Sequence, residues 1–152
     1  MAQRDSAKPP ESMIALPSLV SAYDRRVTLD LFATARHQTH MLIYKIFRAD
    51  EWRQLQDQGD TTGAPIDVAD GYIHFSTAET VRETAAKHFA GEDDLVILAC
   101  ETGTLGSDLK WEVSRGGALF PHLYRKLTLE DIIWEDELPL IDDQHEFPED
   151  VE

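Results

Sequence analysis

Leu95-Val96-Ile97-Leu98-Ala99-Cys100 is the longest uninterrupted apolar run in the chain. It is far too short to cross a bilayer, which takes about 20 such residues. It follows the acidic turn Glu92-Asp93-Asp94, and its β-branched, continuously apolar character is that of a central strand covered on both faces. The flanking sequence supplies the elements to cover it. Upstream, Leu42–Phe47 reads as a strand. Asp50 opens a helix whose Trp52 and Leu55 share a face, and Gly59 stops it. Asp60-Thr61-Thr62-Gly63 and Pro65 read as a loop. Tyr72–Phe75 is a second short strand. Ser76 stands three residues before Glu79, the capping-box spacing, which predicts a helix from Ser76 or Thr77. Val81, Ala85, His88 and Phe89 would be its inner face and Gly91 its end.

Downstream, Leu109, Trp111 and Val113 alternate with Lys110 and Glu112, the pattern of a half-buried strand with the charged pair on its other face. Gly116-Gly117 turns the chain. Leu119–Tyr124 is extended, and Pro121 favours an edge position for it. Thr128–Asp131 reads as a helical turn and Ile132–Trp134 as a last strand. Five or six strands with two main helices, both early, make a small single α+β domain with a mostly antiparallel sheet.

Three segments carry candidate chemistry. In Gly71-Tyr72-Ile73-His74-Phe75-Ser76-Thr77, Tyr72 and His74 share a strand face opposite Ile73 and Phe75. Ser76 and Thr77 at a helix start would form an anion-friendly corner of free amide N–H groups, with His74 placed to donate to a ribose hydroxyl or a phosphate. The alternatives are a plain cap for Ser76 and a structural histidine at 74. In Trp111-Glu112-Val113-Ser114-Arg115-Gly116-Gly117, the Arg115 guanidinium matches two oxygens of a phosphate or carboxylate; the alternative is an exposed hairpin. In Phe120-Pro121-His122-Leu123-Tyr124, His122 and Tyr124 share a face, and a Tyr ring can stack on a planar ligand; the alternative is an edge strand with its polar residues in water.

The Walker loop, G-x-G-x-x-G, H-E-x-x-H and G-x-S-x-G patterns are all absent from the sequence. His74, His88 and His122 lack a metal-motif spacing and Cys100 is the only cysteine, so no metal and no intrachain disulfide are expected. A net charge of −15 opposes broad binding to nucleic acid or to anionic membranes. A lone cysteine and a charged, proline-broken N-terminus suit a reducing, cytoplasmic setting.

Taken in order, Gly71–Thr77, then Trp111-Glu112 with Ser114-Arg115-Gly116-Gly117, then Leu119–Tyr124 resemble the motifs of a bacterial family, domain-of-unknown-function family 952. The resemblance spans about residues 41–136. That family is similar to the ADP-ribosyltransferase superfamily, which implies a bent or split β fold with a cleft for NAD as substrate. The resemblance implies Glu112 and His74 as catalytic residues, with Tyr72, Ser76, Thr77, Arg115, His122 and Tyr124 binding the ligand. Glu112 would stabilise the oxocarbenium-like ribose left by nicotinamide. His74 and Ser76 would position ribose or phosphate, Arg115 would pair with the diphosphate, and Tyr72 or Tyr124 would stack. Where the superfamily carries a ribose-binding His on its first strand, this chain has Tyr44 and Lys45. A non-catalytic nucleotide-binding domain and a protein-interaction domain remain the alternatives.

Residues 1–40 hold five basic and four acidic groups, with Pro9, Pro10 and Pro17, and read as a weakly structured extension with at most a short helix over Val27–Ala35. Residues 137–152 hold seven acidic groups and no Lys or Arg, and read as a solvated acidic tail, suited to a basic partner. Met41 directly precedes the first strand, which predicts that the biological chain starts there; intact mass of the protein from its native source should begin at residue 41, and a species beginning at residue 1 overturns this.

Overall fold

The computed structural model describes residues 41–114 and 116–152. The N-terminal extension, its Val27–Ala35 helix and Arg115 therefore lie outside the described residues. Strand β1 (Leu42–Arg48) and strand β4 (Leu95–Glu101) pair antiparallel, and β4 also pairs with β8 (Ile132–Leu138), giving the order β1–β4–β8. The apolar run is thus the central strand, as its composition predicts. Side-chain alternation splits its burial. Leu98 and Cys100 face one core with Ile43, Phe47, Leu55, Ile73, Phe75 and Leu123. Leu95, Ile97 and Ala99 face a second with Tyr44, Ile46, Val81, Ala85 and Leu138.

Helix α1 (Ala49–Gln58) covers the first core with Leu55. Its start is held not by Asp50 but by Glu51, whose carboxylate accepts the Arg48 N–H at 2.9 Å. Gly59, at φ +82, ends it in the left-handed conformation as expected. After β2 (Asp60–Thr61) the expected loop contains a further helix, α2 (Pro65–Asp70). The strand expected at Tyr72–Phe75 is reduced to β3 (Ile73–His74).

The helix expected from Ser76 begins five residues later: α3 spans Val81–His88. Ser76 instead exchanges both main-chain bonds with Tyr44, at 2.8 Å each, and Thr77 gives its N–H to the Thr80 hydroxyl. Their amides are spent, so no anion corner forms there. Val81 and Ala85 are buried as predicted, but His88 is exposed.

After a short helix α4 (Thr102–Leu105), strands β5 (Leu109–Val113) and β6 (Leu119–Leu123) complete a second sheet, in the order β3–β6–β5. Pro121 therefore lies in a middle strand, not at an edge. The position is tolerated because β3 is so short: Pro121 still accepts from Phe75 N–H through its carbonyl, and only the missing reverse bond is lost. Trp111 and Val113, expected on a half-buried face, are instead exposed.

Strand β7 (Leu127–Thr128) pairs with β2, and a 3₁₀ turn at Leu129–Asp131 leads into β8. β8 runs on through Leu138 and is not the last strand, for β9 (Leu140–Ile141) and β10 (Gln144–His145) form a hairpin. The expectation of a solvated tail from 137 is corrected here. Leu138 and Val151 are buried in the second core, Phe147 packs against it, and His145 Nε2 meets the Glu92 carbonyl at 2.8 Å. The acidic residues between them face water while widely spaced apolar residues anchor the segment, a pattern that charge counting conceals. No helix among the described residues is long and apolar enough to cross a membrane.

Leu138→Ala should destabilise the domain by about 2–5 kcal/mol in urea unfolding, as buried Leu truncations do; a merely solvated tail would leave the midpoint unchanged.

Candidate functional site

The second sheet sorts its side chains by alternation. Ile73, Phe75 and Leu123 point into the first core. On the opposite face the register aligns His74 with His122 and His122 with Lys110. Glu112 stands two residues along β5 from Lys110, and Tyr72 and Tyr124 extend the same face. Three sequence segments that separately show a polar face thus merge into one.

The rings are in contact. Tyr72 stacks on His122 with centroids 4.3 Å apart, lies 4.8 Å from His74 and 5.2 Å from Tyr124. His74 meets His122 edge-on at 5.2 Å. The Tyr124 hydroxyl donates to Glu112 Oε1 at 2.5 Å, and His122 Nδ1 lies 3.4 Å from the same oxygen. The Tyr124 hydrogen bond, with a smaller part from His122, holds the Glu112 carboxyl below its ordinary range. In turn it pushes the Tyr124 phenol up to about 12. Burial pushes the His122 imidazole down, against the pull of Glu112. The Lys110 ammonium sits 4.7 Å over the Tyr124 ring, a cation–π contact.

Beneath His74 lies Asp67, fully buried. Its Oδ1 accepts the His74 main-chain N–H at 3.0 Å and faces His74 Nδ1 at 2.6 Å. Its Oδ2 accepts from Lys45 Nζ at 2.6 Å and from Ala64 N–H at 2.7 Å. Burial alone would raise this carboxyl; the bonds from His74 and Lys45 reverse that and leave it lowered. Lys45 lies on the same β1 face as Ile43 and Phe47, and its burial pushes the ammonium down despite Asp67. The other His74 nitrogen, Nε2, lies 3.0 Å from Asp70 Oδ2. With a carboxylate at each ring nitrogen, both nitrogens are taken up within the protein and neither is free to meet a ligand.

Of the residues singled out from the sequence, the fold brings together Tyr72, His74, Glu112, His122 and Tyr124. Ser76 and Thr77 lie elsewhere: Ser76 is buried with its hydroxyl 2.9 Å from that of Thr84, and the Thr77 hydroxyl is 3.1 Å from that of Thr80. Arg115 is outside the described residues. Sequence reading missed Lys45, Asp67, Asp70 and Lys110. The signals existed. Pro65 suits a first helical position and Asp67, three residues after Ala64, suits the carboxylate that caps it. A Lys inside an apolar strand calls for a buried anion. Gly63 is explained by the same group, because at φ +99 a side chain is strained and a Cβ there would collide with the Asp67 carboxylate.

Among the described residues no group of three or more His, Cys, Asp or Glu side chains is arranged to hold a metal ion. The model of a family described as protein of unknown function, DUF952, matches residues 46–135. The chain belongs to the DUF952 family. Two solved structures of a similar protein, CC0527 from Caulobacter crescentus, align with this DUF952 chain. The X-ray structure is 51% identical, covers 68% of this chain and 91% of its own, and superposes with a TM-score of 0.66. The solution structure gives 51%, 68%, 90% and 0.62. No curated protein matches the chain. The small α+β architecture with antiparallel sheets is therefore shared with a solved relative, and the polar face lies inside the matched region.

Replacing Asp67 by Asn should cost about 3–5 kcal/mol, because Lys45 then keeps its burial and loses its counter-charge; adding Lys45→Met should recover part of the loss. The depressed Asp67 carboxyl contributes stability that is present above its unfolded value of about 4 and is lost as pH falls through the lower folded value. Urea unfolding followed into acid should show that limb in the parent and a weaker one in Asp67→Asn.

Proposed function

We propose that the polar face of the second sheet binds NAD as a substrate and that Glu112 promotes loss of nicotinamide, with ADP-ribose passing to an acceptor. The observation that carries the reading is a carboxylate kept ionised by a Tyr124 hydrogen bond at 2.5 Å, amid four aromatic or imidazole rings. The choice of NAD over other nucleotides rests on the resemblance of the sequence motifs to the ADP-ribosyltransferase superfamily. A planar base or nicotinamide would stack on Tyr72 or Tyr124. The exposed Lys110 ammonium is the nearby cation for a phosphate. His74, fixed by Asp67 and Asp70, acts through its ring, which packs against Tyr72 and His122 and holds them in place.

The reaction breaks the bond between the ribose anomeric carbon and the nicotinamide nitrogen, and nicotinamide leaves with the bonding pair. Positive charge develops on the ribose, where the Glu112 carboxylate would stabilise it. The acceptor's nucleophile then bonds the anomeric carbon and its proton passes to solvent. Holding the partners in line supplies much of such a barrier. A second reading, nucleotide binding without turnover, is favoured by one observation: Glu112 already accepts from Tyr124 and is not free.

Incubation with NAD should raise the melting temperature and release nicotinamide. Tyr124→Ala should lose the thermal shift, and Glu112→Gln should slow release by about 100-fold, the scale of removing one electrostatic stabiliser. Stabilisation without release selects the binding reading. Absence of both, with ADP-ribose and AMP also tried, overturns the two together.

A further inference from the structure

Strand β5 ends the β3–β6–β5 sheet. Just outside it, Ser114 N–H bonds the Ala118 carbonyl and Tyr124 N–H bonds the Asp108 carbonyl. Asp108 and Ser114 thus turn their main-chain groups toward β6, and antiparallel alternation puts those of Lys110 and Glu112 there too. The N–H and C=O groups of Leu109, Trp111 and Val113 consequently point out of the sheet edge. Of these, the Leu109 N–H turns back to the Gly106 carbonyl; the Leu109 carbonyl and both main-chain groups of Trp111 and Val113 are left for a partner strand. On the same strand Trp111 is 40% exposed and Val113 69%, and Leu119, opposite Val113, is 54% exposed.

We propose that β5 pairs antiparallel with β5 of a second copy of this chain, on a two-fold axis at Trp111. The strand Leu109-Lys110-Trp111-Glu112-Val113 is complementary to its own reverse. Trp111 meets the partner's Trp111 in a hydrogen-bonded pair, and Leu109 meets the partner's Val113. Lys110 falls opposite the partner's Glu112 and Glu112 opposite the partner's Lys110, so every cross-strand charge is matched. An edge protected from pairing carries a proline, a bulge or an unmatched charge. Here the only edge-strand charges are these two, and self-pairing cancels them. A second copy places an opposite charge across from both Lys110 and Glu112 at once.

The pairing joins the two sheets into one and carries the polar face across the axis. It brings the partner's Lys110 beside Glu112, so each site would be completed by a cation from the other copy. This inference stands on the strand edge alone and does not depend on NAD as the ligand. The net charge of −15 on each chain opposes the approach, and moderate salt screens that repulsion over about 8 Å.

Sedimentation of the full chain over a concentration series at moderate salt should show the mass rising to twice 17.2 kDa. Lys110→Glu and Glu112→Lys should each be monomeric, circular dichroism confirming that they fold, and their mixture should form a mixed dimer because both cross-strand pairs are again opposite in sign. For register, Trp111→Cys should cross-link on oxidation, since hydrogen-bonded partners lie about 5.5 Å apart, within disulfide reach. Leu109→Cys should not, its two copies lying about 13 Å apart along the strands. The native Cys100 stays silent because it is buried. A parent that remains monomeric throughout overturns the proposal. So does a dimer indifferent to the charge reversals, or one in which Leu109→Cys cross-links as readily as Trp111→Cys.

Discussion

A single buried carboxylate organises this domain. Asp67 accepts from Lys45, Ala64 and His74, and so ties β1, the entry to α2 and β3 to one point inside the first core. Neither charge of the Lys45–Asp67 pair reaches solvent, and removing two charges from water offsets most of what their attraction returns. The pair's main product is therefore geometry. It sets where α2 sits, requires a residue without a side chain at 63, and orients the His74 ring from below while Asp70 meets it from the side.

That geometry passes to the polar face through strand alternation. β3 and β6 each put one set of side chains into the core and the other outward, so whatever fixes Ile73 and Leu123 also fixes His74 and His122. The Tyr72–His122 stack and the Tyr124–Glu112 hydrogen bond then settle the remaining freedom of the outward groups. A face held in this way needs little rearrangement to receive a planar ligand, which lowers the ordering cost of binding. It also lies beside the open edge of β5, so the site and the strand edge belong to one surface.

Much of the order of elements along the chain was legible. The run at 95–100, the alternation at 109–113 and the glycine stop at 59 are local signals, set by side-chain periodicity and by the conformational freedom of glycine. The polar faces of 72–74, 110–112 and 122–124 were legible for the same reason. The errors have a common origin. Ser76 looked like a cap because a capping box is a local pattern, yet its N–H was claimed by Tyr44 more than thirty positions away. The last sixteen residues looked like a tail because their charge is local, whereas the burial of Leu138 and Val151 depends on a core assembled by other strands.

The sequence by itself determined which residues alternate, which turns break the chain and which side chains carry chemistry, because each depends on neighbours a few positions apart. Only the tertiary structure decided that Tyr72, His74, Glu112, His122 and Tyr124 share a surface, that Asp67 lies beneath them, and that Trp111 faces water. Those outcomes depend on antiparallel register between distant strands and on where a buried charge finds its counter-charge. No local period encodes either one.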